Sequence, residues 1–343
     1  MSANATQRHG WLWCATAAVL FGAATPLTKL LVDDAGSVAL AGLLYLGAAI
    51  AVTPFVLSEH RHVPTPKQRG QLFLAVVFGG GVAPVLLVLA LDRTPAGTVA
   101  LLLNLELVAT AVIASVFLRE HIGRRSLLGI AVVLVGSIVL TGTGGTSVVV
   151  GELLVAGACL CWGIDNAVTA GLDAYSPKRI TTAKGIVAGS VNLALGLALT
   201  GAPPVHVVLA ALAIGAIGYG ASITLWITGA RLIGAARGQA IFALAPFIGA
   251  ALSWAINGDG LSARIAVAFG ISLLGVIIVG TAHHAHAHQH TAIEHAHAID
   301  PTEIHHRPEA IEIIEGDYHR HLALAHNHPH LPDIHHRHPH RHE

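Results

Sequence analysis

Charge is scarce in this chain. Only 11% of its 343 residues are charged, against about 25% in soluble globular proteins. A water-facing surface cannot be built over most of its length, whereas a lipid-facing one needs no charge. No sign dominates either. Lys and Arg total 19, as do Asp and Glu, so the balance gives no reason to expect nucleic acid as a partner. Cysteine is equally sparse. Cys14, Cys159 and Cys161 lie inside apolar runs, and no pair has the spacing of a metal site or a disulfide framework. They read as small buried hydrophobes. Catalytic signatures are missing too: no Gly-Ser-Gly nucleophile setting, no paired membrane Asp motif and no His-Glu-x-x-His zinc helix. Gly79-Gly80-Gly81 is followed by no Lys-Ser/Thr, which excludes a phosphate-binding loop. An enzyme is therefore not expected.

What is present is apolar. Hydrophobic residues make up 54% of the chain, gathered into ten runs at about 11–32, 36–57, 70–91, 95–117, 126–142, 151–170, 183–200, 205–230, 234–256 and 264–281. About 20 residues cross a hydrocarbon core as a helix. The first run carries Pro26 and Lys29 and is expected to span rather than to be a cleavable leader. The breaks hold helix-ending or charged residues, among them Asp33-Asp34, Pro64-Thr65-Pro66, His121 to Arg125, Pro203-Pro204 and Asn257 to Gly260. With the N-terminus inside, the loops and helix ends on the inner side hold twelve Lys and Arg (Arg8, Arg61, Lys67, Arg69, Arg119, Arg124, Arg125, Lys178, Arg179, Lys184, Arg231, Arg237). The outer side holds three, Lys29, Arg93 and Arg264. That asymmetry predicts an integral protein of the inner (plasma) membrane with both termini cytoplasmic.

The two halves resemble each other. At a shift of 139 residues Glu120 falls on Asp259, Arg125 on Arg264, Gly136 on Gly275 and Leu107 on Pro246; at 141, Phe21-Gly22 falls on Trp162-Gly163. Five spans is an odd number, so the second copy sits upside down, an architecture common in secondary transporters. The expected organisation is a first five-helix repeat over 1–142, an inverted one over 151–281 and a tail over 282–343. The fold class is all-α integral membrane, with about ten transmembrane helices and a disordered tail.

Leu20-Phe21-Gly22, Cys161-Trp162-Gly163, Leu103-Asn104-Leu105-Glu106, Phe117-Leu118-Arg119-Glu120 and Ala245-Pro246-Phe247 with Asp259 resemble the EamA type of the drug/metabolite transporter superfamily over residues 11–281. The resemblance implies a ten-helix basket with a central cavity, and secondary transport, often export, of small metabolites. Leu107 stands where family members usually carry proline after the glutamate, which removes the sequence basis for a kink there. The tail ending Pro332-Asp333-Ile334-His335-His336-Arg337-His338 looks like tails on a subset of these transporters.

An ionisable residue deep in a bilayer is costly and marks a functional candidate. Glu106, in mid-run, is the first, as a proton carrier or cation ligand; its alternative is a structural acid tying helices together. Asn104 lies about 200° around the helix from it and is expected to pair between helices. Asp165 and Asn166 follow Trp162 in the sixth run, and all three are pathway candidates. Lys184 is a further one, although snorkelling to the interface explains both it and Lys29. Asn192 is expected to hydrogen-bond between helices.

The tail holds 19 of the 24 histidines, with nine acids and four arginines. Its apolar residues are too few for a core, so disorder is expected. His283, His284, His286, His288 and His290 form one cluster, His326, His328 and His330 a second, and His335, His336, His338, His340 and His342 a third. Imidazole suits Zn, Ni, Co and Cu; no cofactor is required beyond such an ion on the tail. Near a pKa of about 6.5 its charge also swings across neutral pH. Three functions stay open at this point: a small-solute exporter with a metal-responsive tail, a divalent-metal exporter, and a non-transporting membrane anchor for a metal buffer. The partners are lipid and a small molecule or metal ion, with a homodimer left open.

Overall fold

The computed structural model describes residues 3–57, 65–117, 123–141, 145–169, 172, 175–233, 238 and 241–281, and five strand segments beyond them. It divides into two compact units, one of residues 1–119 and 124–281, the other of 120–123 and 282–343. The first unit is helical. Eight described helices are long and apolar enough to cross a membrane: α1 (Arg8–Lys29), α2 (Ser37–Val56), α3 (Pro66–Arg93), α4 (Ala96–Phe117), then, after α5 (Arg124–Leu140), α6 (Thr146–Thr169), α7 (Lys178–Thr200) and α8 (Val205–Gly229), and, after the shorter α9 (Ala245–Ile256), α10 (Ala263–Gly280). All ten fall on the apolar runs of the sequence. The chain is an integral membrane protein.

Lipid offers backbone groups no partner, so each span must close its own hydrogen bonds as a helix. The ends are set by local chemistry. Thr65 and Gln68 form a reciprocal capping box before Pro66. The hydroxyls of Ser176 and Ser262 accept from the backbone N–H of Arg179 and Ile265. α7 stops where Gly201 takes φ +80°, with Pro203-Pro204 beyond it.

The inverted repeat is built into the packing. α5 and α10 form the most extensive helix pair and run antiparallel. Arg125, at the start of α5, donates to the Thr281 hydroxyl at the end of α10 (3.1 Å). Its repeat mate Arg264, at the start of α10, donates to the carbonyls of Val139 and Thr141 at the end of α5. Between them Gly136 lies against Ser272 and Gly275 against Val133 and Gly129. The lead helices repeat a contact as well: Gly22 of α1 is pressed on the Ala245 carbonyl and Gly249 of α9, and Gly163 of α6 on Ala109 of α4.

Two irregularities recur. α3 winds as a π-helix over Ala75–Val82 and α8 over Gly215–Ala221, starting at 75 and 215. α4 breaks at 103–104, and the helical segment leading into α9 breaks at 243–244. Both offsets are 140 residues. This corrects the pairing of Leu107 with Pro246, because matching the helix breaks sets Glu106 against Pro246. It also restores the kink that the missing proline argued against. Leu103 and Asn104 turn through 3₁₀-type bonds (Asn104 N to Leu101 O, 3.2 Å; Glu106 N to Leu103 O, 3.0 Å), and the buried Asn104 amide holds the Leu101 carbonyl at 2.8 Å. An asparagine side chain does here what a proline ring does elsewhere. Asn104 therefore serves its own helix rather than pairing between helices. Glu120 lies outside the described residues; its counterpart Asp259 accepts from the Gly97 N–H at the start of α4 (2.7 Å).

In the second unit the backbone of 284–290 pairs antiparallel with 324–330, setting His284 opposite His330, His286 opposite His328 and His288 opposite His326. Strands at 293–296, 318–321 and 311–315 form a three-stranded sheet in that order. The sequence led to no regular structure here; the alternation of His with Ala has the period of a strand. His283, His335, His336, His338, His340 and His342 lie outside the described residues.

Candidate functional site

Five of the six membrane residues singled out by sequence come together where α3, α4, α6 and α7 meet. Asp165 and Lys184 form an ion pair at 2.5 Å, with side chains 7% and 15% exposed. Lys184 therefore does not snorkel. It sits at the start of a π-helical stretch, Lys184–Ala188, and reaches α6, where a buried carboxylate holds it more strongly than the interface would. Lys29 also turns inward, donating to the Leu91 carbonyl. Beside the pair, the Asn166 amide donates to Glu106 Oε1 (3.0 Å) and to Thr110 Oγ1 (3.1 Å). Asp165 Oδ1 is buried and has no hydrogen-bond partner.

The π-helical turn of α3 supplies the other wall. Gly79 is pressed against the Asp165 carboxylate, leaving no room for a side chain there. π-winding displaces backbone carbonyls from regular helix partners. The Gly79 carbonyl accepts from Tyr45 Oη (2.6 Å) and Trp162 Nε1 (3.2 Å). The Gly81 carbonyl accepts from the Asn192 amide (3.1 Å), the interhelical bond expected of that residue. Cys159 is buried with its thiol near the Leu102 carbonyl (3.8 Å) at the break in α4; Cys14 is buried too, and Cys161 is half-buried. All three thiols are free.

An aromatic wall completes the site and was not read from the sequence. Tyr45 of α2 stacks near Tyr219 of α8 (5.9 Å between ring centroids), Tyr219 near Phe21 of α1 (5.6 Å), Phe21 near Phe242 (5.1 Å), and Phe242 near Trp226 (5.8 Å). With 5% aromatic residues in the chain, this gathering is the signal that could have found it. Tyr219, between Gly218 and Gly220 in the middle of a run, is the most legible member. Phe21, Tyr45, Glu106, Trp162, Lys184, Tyr219 and Phe242 are all half-buried.

Inverted helical repeats around a polar, aromatic-walled centre define a polytopic membrane transporter. The chain belongs to the EamA-like transporter family, whose model matches twice, over residues 8–142 and 149–281. It is 26% identical over 298 residues to an uncharacterized transporter of Methanothermobacter thermautotrophicus, covering 79% of this chain and 85% of that protein. One crystal structure of a protein without a stated function shares the fold at a TM-score of 0.54 and 18% identity, over 77% of this chain and 98% of its own.

Proposed function

We propose that the chain is a secondary active transporter that exports a small solute, with Glu106, Asp165, Asn166, Trp162 and Lys184 on its pathway and a cytoplasmic tail that binds divalent metal. The observation that carries the reading is a pair of adjoining polar contacts, Glu106 with Asn166 and Asp165 with Lys184, made from consecutive residues of α6 to two other helices of a membrane body. Charge at that depth is costly and is retained where something exchanges with it. A proton or solute that takes Asp165 away from Lys184 frees an ammonium, and Glu106 stands beside it as a second acid. Outward direction rests on the family likeness, and the cytoplasmic termini on twelve inner against three outer basic residues.

The tail reading is supported by its strand register. The backbone ladder sets His284, His286 and His288 opposite His330, His328 and His326. Zn, Ni, Co and Cu suit such a set.

Cells carrying the whole chain, a chain stopped after Gly280, or Glu106→Gln would be compared with empty vector. The readouts are the small molecules in the medium and cell-associated Zn, Ni, Co and Cu. An organic solute should accumulate outside with the first two forms and not with Glu106→Gln, while bound metal should rise only with the tail. A fall in one cellular metal that Glu106→Gln abolishes would replace this reading with metal export. Unchanged media, with metal raised by the tail alone, would leave a membrane-anchored metal buffer.

A further inference from the structure

The two lobes of the transporter meet along two seams. α1, α2, α8 and α9 make one lobe, and their repeat mates α6, α7, α3 and α4 make the other. The first seam, α2 against α7, is lined with glycine. A Cβ on Gly42 would strike the backbone of Gly189 and Leu193, and one on Gly196 the backbone of Ala39. Small residues let the two backbones touch there. The second seam sets α1 and α9 against α3 and α4, and at its outer end it closes by a different kind of contact.

Two charged side chains of the first lobe grip the turn between α3 and α4. Lys29, at the end of α1, donates to the Leu91 carbonyl at the end of α3. Asp259, just past α9, accepts from the Gly97 N–H in the first turn of α4 (2.7 Å). The sequence explains why both backbone groups are open to capture. The regular partner of the Leu91 carbonyl is the N–H of residue 95, which is proline and has none. The Gly97 N–H lies in the first turn of its helix, where no intrahelical carbonyl serves it. A cation at a helix C-terminus and a carboxylate at an N-terminus are also the charges those ends attract. Each half of the clamp is fixed in its own lobe. The buried Thr94 hydroxyl donates to the Val148 carbonyl of α6 (3.3 Å), and Gly151 is pressed against Thr94, so the turn moves with the second lobe. The Asn257 amide donates to the Pro26 carbonyl (3.2 Å), which ties the end of α9 to α1. Inward of the clamp the seam is shut: Thr25 and Ala100 are buried, and a Cβ on Gly249 would meet the Gly22 carbonyl and Ala100.

From this arrangement we infer that Lys29 and Asp259 form the outer gate, a two-charge clamp on the α3–α4 turn whose release lets the lobes part at the second seam and opens the centre to the outside. The glycine-lined first seam is the pivot. Side chains that hold backbone groups suit this task. Parting them breaks two hydrogen bonds and strands no charge in lipid, because Lys29 and Asp259 are both half-buried at the outer end. The inference rests on the transporter reading and adds to it the residues that hold the outer side closed.

The test is the labelling of single cysteines in the full-length protein, in right-side-out membrane vesicles, by a membrane-impermeant maleimide added outside. Cys14, Cys159 and Cys161 are first replaced by alanine. Thr25→Cys, nearly the same size and one helical turn inward of Lys29, reports on the seam. Val133→Cys, buried where α5 packs on Gly275 of α10, reports on general loosening. With the clamp intact Thr25→Cys should react slowly. Lys29→Met and Asp259→Ala should each speed it at least tenfold. Lys29→Arg, which keeps a donor and the charge, should leave it slow, and Val133→Cys should stay unreactive throughout. Labelling of Thr25→Cys that neither Lys29→Met nor Asp259→Ala changes overturns the gate. So does a rise as large at Val133→Cys, which would assign the two residues to stability alone. Efflux from cells carrying the unsubstituted chain separates the two readings. Solute efflux with labelling indifferent to both residues removes the gate and keeps the transporter. Faster labelling in a chain that moves no solute keeps the clamp and removes the transporter.

Discussion

Asp165 and Lys184 depend on each other. Removing one partner of a buried ion pair typically costs about 3–5 kcal/mol, since the other charge stays desolvated, whereas replacing both can be near neutral. Lys184→Met should therefore lower the melting temperature of the detergent-solubilised protein clearly, and Lys184→Met with Asp165→Asn should recover most of the loss. Equal losses for single and double variants would mean the pair contributes nothing as a pair. Gly79 is held to glycine by the same carboxylate: a Cβ there would run into Asp165. Gly79→Ala should abolish solute efflux and destabilise the protein, while Gly70→Ala, where nothing lies within 4 Å, should leave both unchanged. Sequence showed Glu106, Asp165 and Asn166 as misfits in apolar runs, which is why they were legible. It did not show that Lys184 turns inward. About four methylenes of apolar stem let a lysine reach either the interface or a neighbouring helix, and only the position of Asp165 decides between them.

At the scale of elements, spans were readable and their irregularities were not. Apolar length and breaking residues place ten helices because lipid enforces both. The π-helical turn at Ala75–Val82 leaves no such mark, since its carbonyls answer to neighbours distant in sequence: Tyr45 and Trp162 for one, Asn192 for another. The absence of a proline leaves the break in α4 without a basis in sequence, yet the Asn104 amide caps it. Asn104→Leu removes that side-chain bond and leaves the Leu101 carbonyl with the Asn104 backbone N–H alone, a loss of about 0.5–1.5 kcal/mol. The variant should melt earlier than wild type, and more so than Asn104→Gln if the longer amide still reaches. An Asn104→Leu protein as stable as wild type would show that the break needs no cap.

Across the whole molecule the duplicated plan was legible from landmarks such as Arg125 with Arg264 and Gly22 with Gly163, because positions that hold helices together are constrained alike in both copies. The aromatic wall was not, since it is assembled from both copies, Phe21 and Tyr45 from the first and Tyr219, Trp226 and Phe242 from the second, and of these only Phe21 falls on another aromatic residue, Trp162. The arginines are also the simplest global test. Arg264 holds two carbonyls at the end of α5, while Arg125 reaches a single exposed hydroxyl. Arg264→Ala should lower the melting temperature more than Arg125→Ala; the opposite order would assign the burden to the other end of the pair.

That reciprocal clasp has a consequence for how the chain is made. α5 leaves the ribosome with its terminal carbonyls open, and the guanidinium that closes them belongs to α10, made well after it. The first half must wait in the bilayer, inserted but unfinished, until the second has been threaded in beside it. Cutting the chain between α5 and α6 removes only a tether and none of the clasp, so two half-proteins made separately in one cell should find each other and lock.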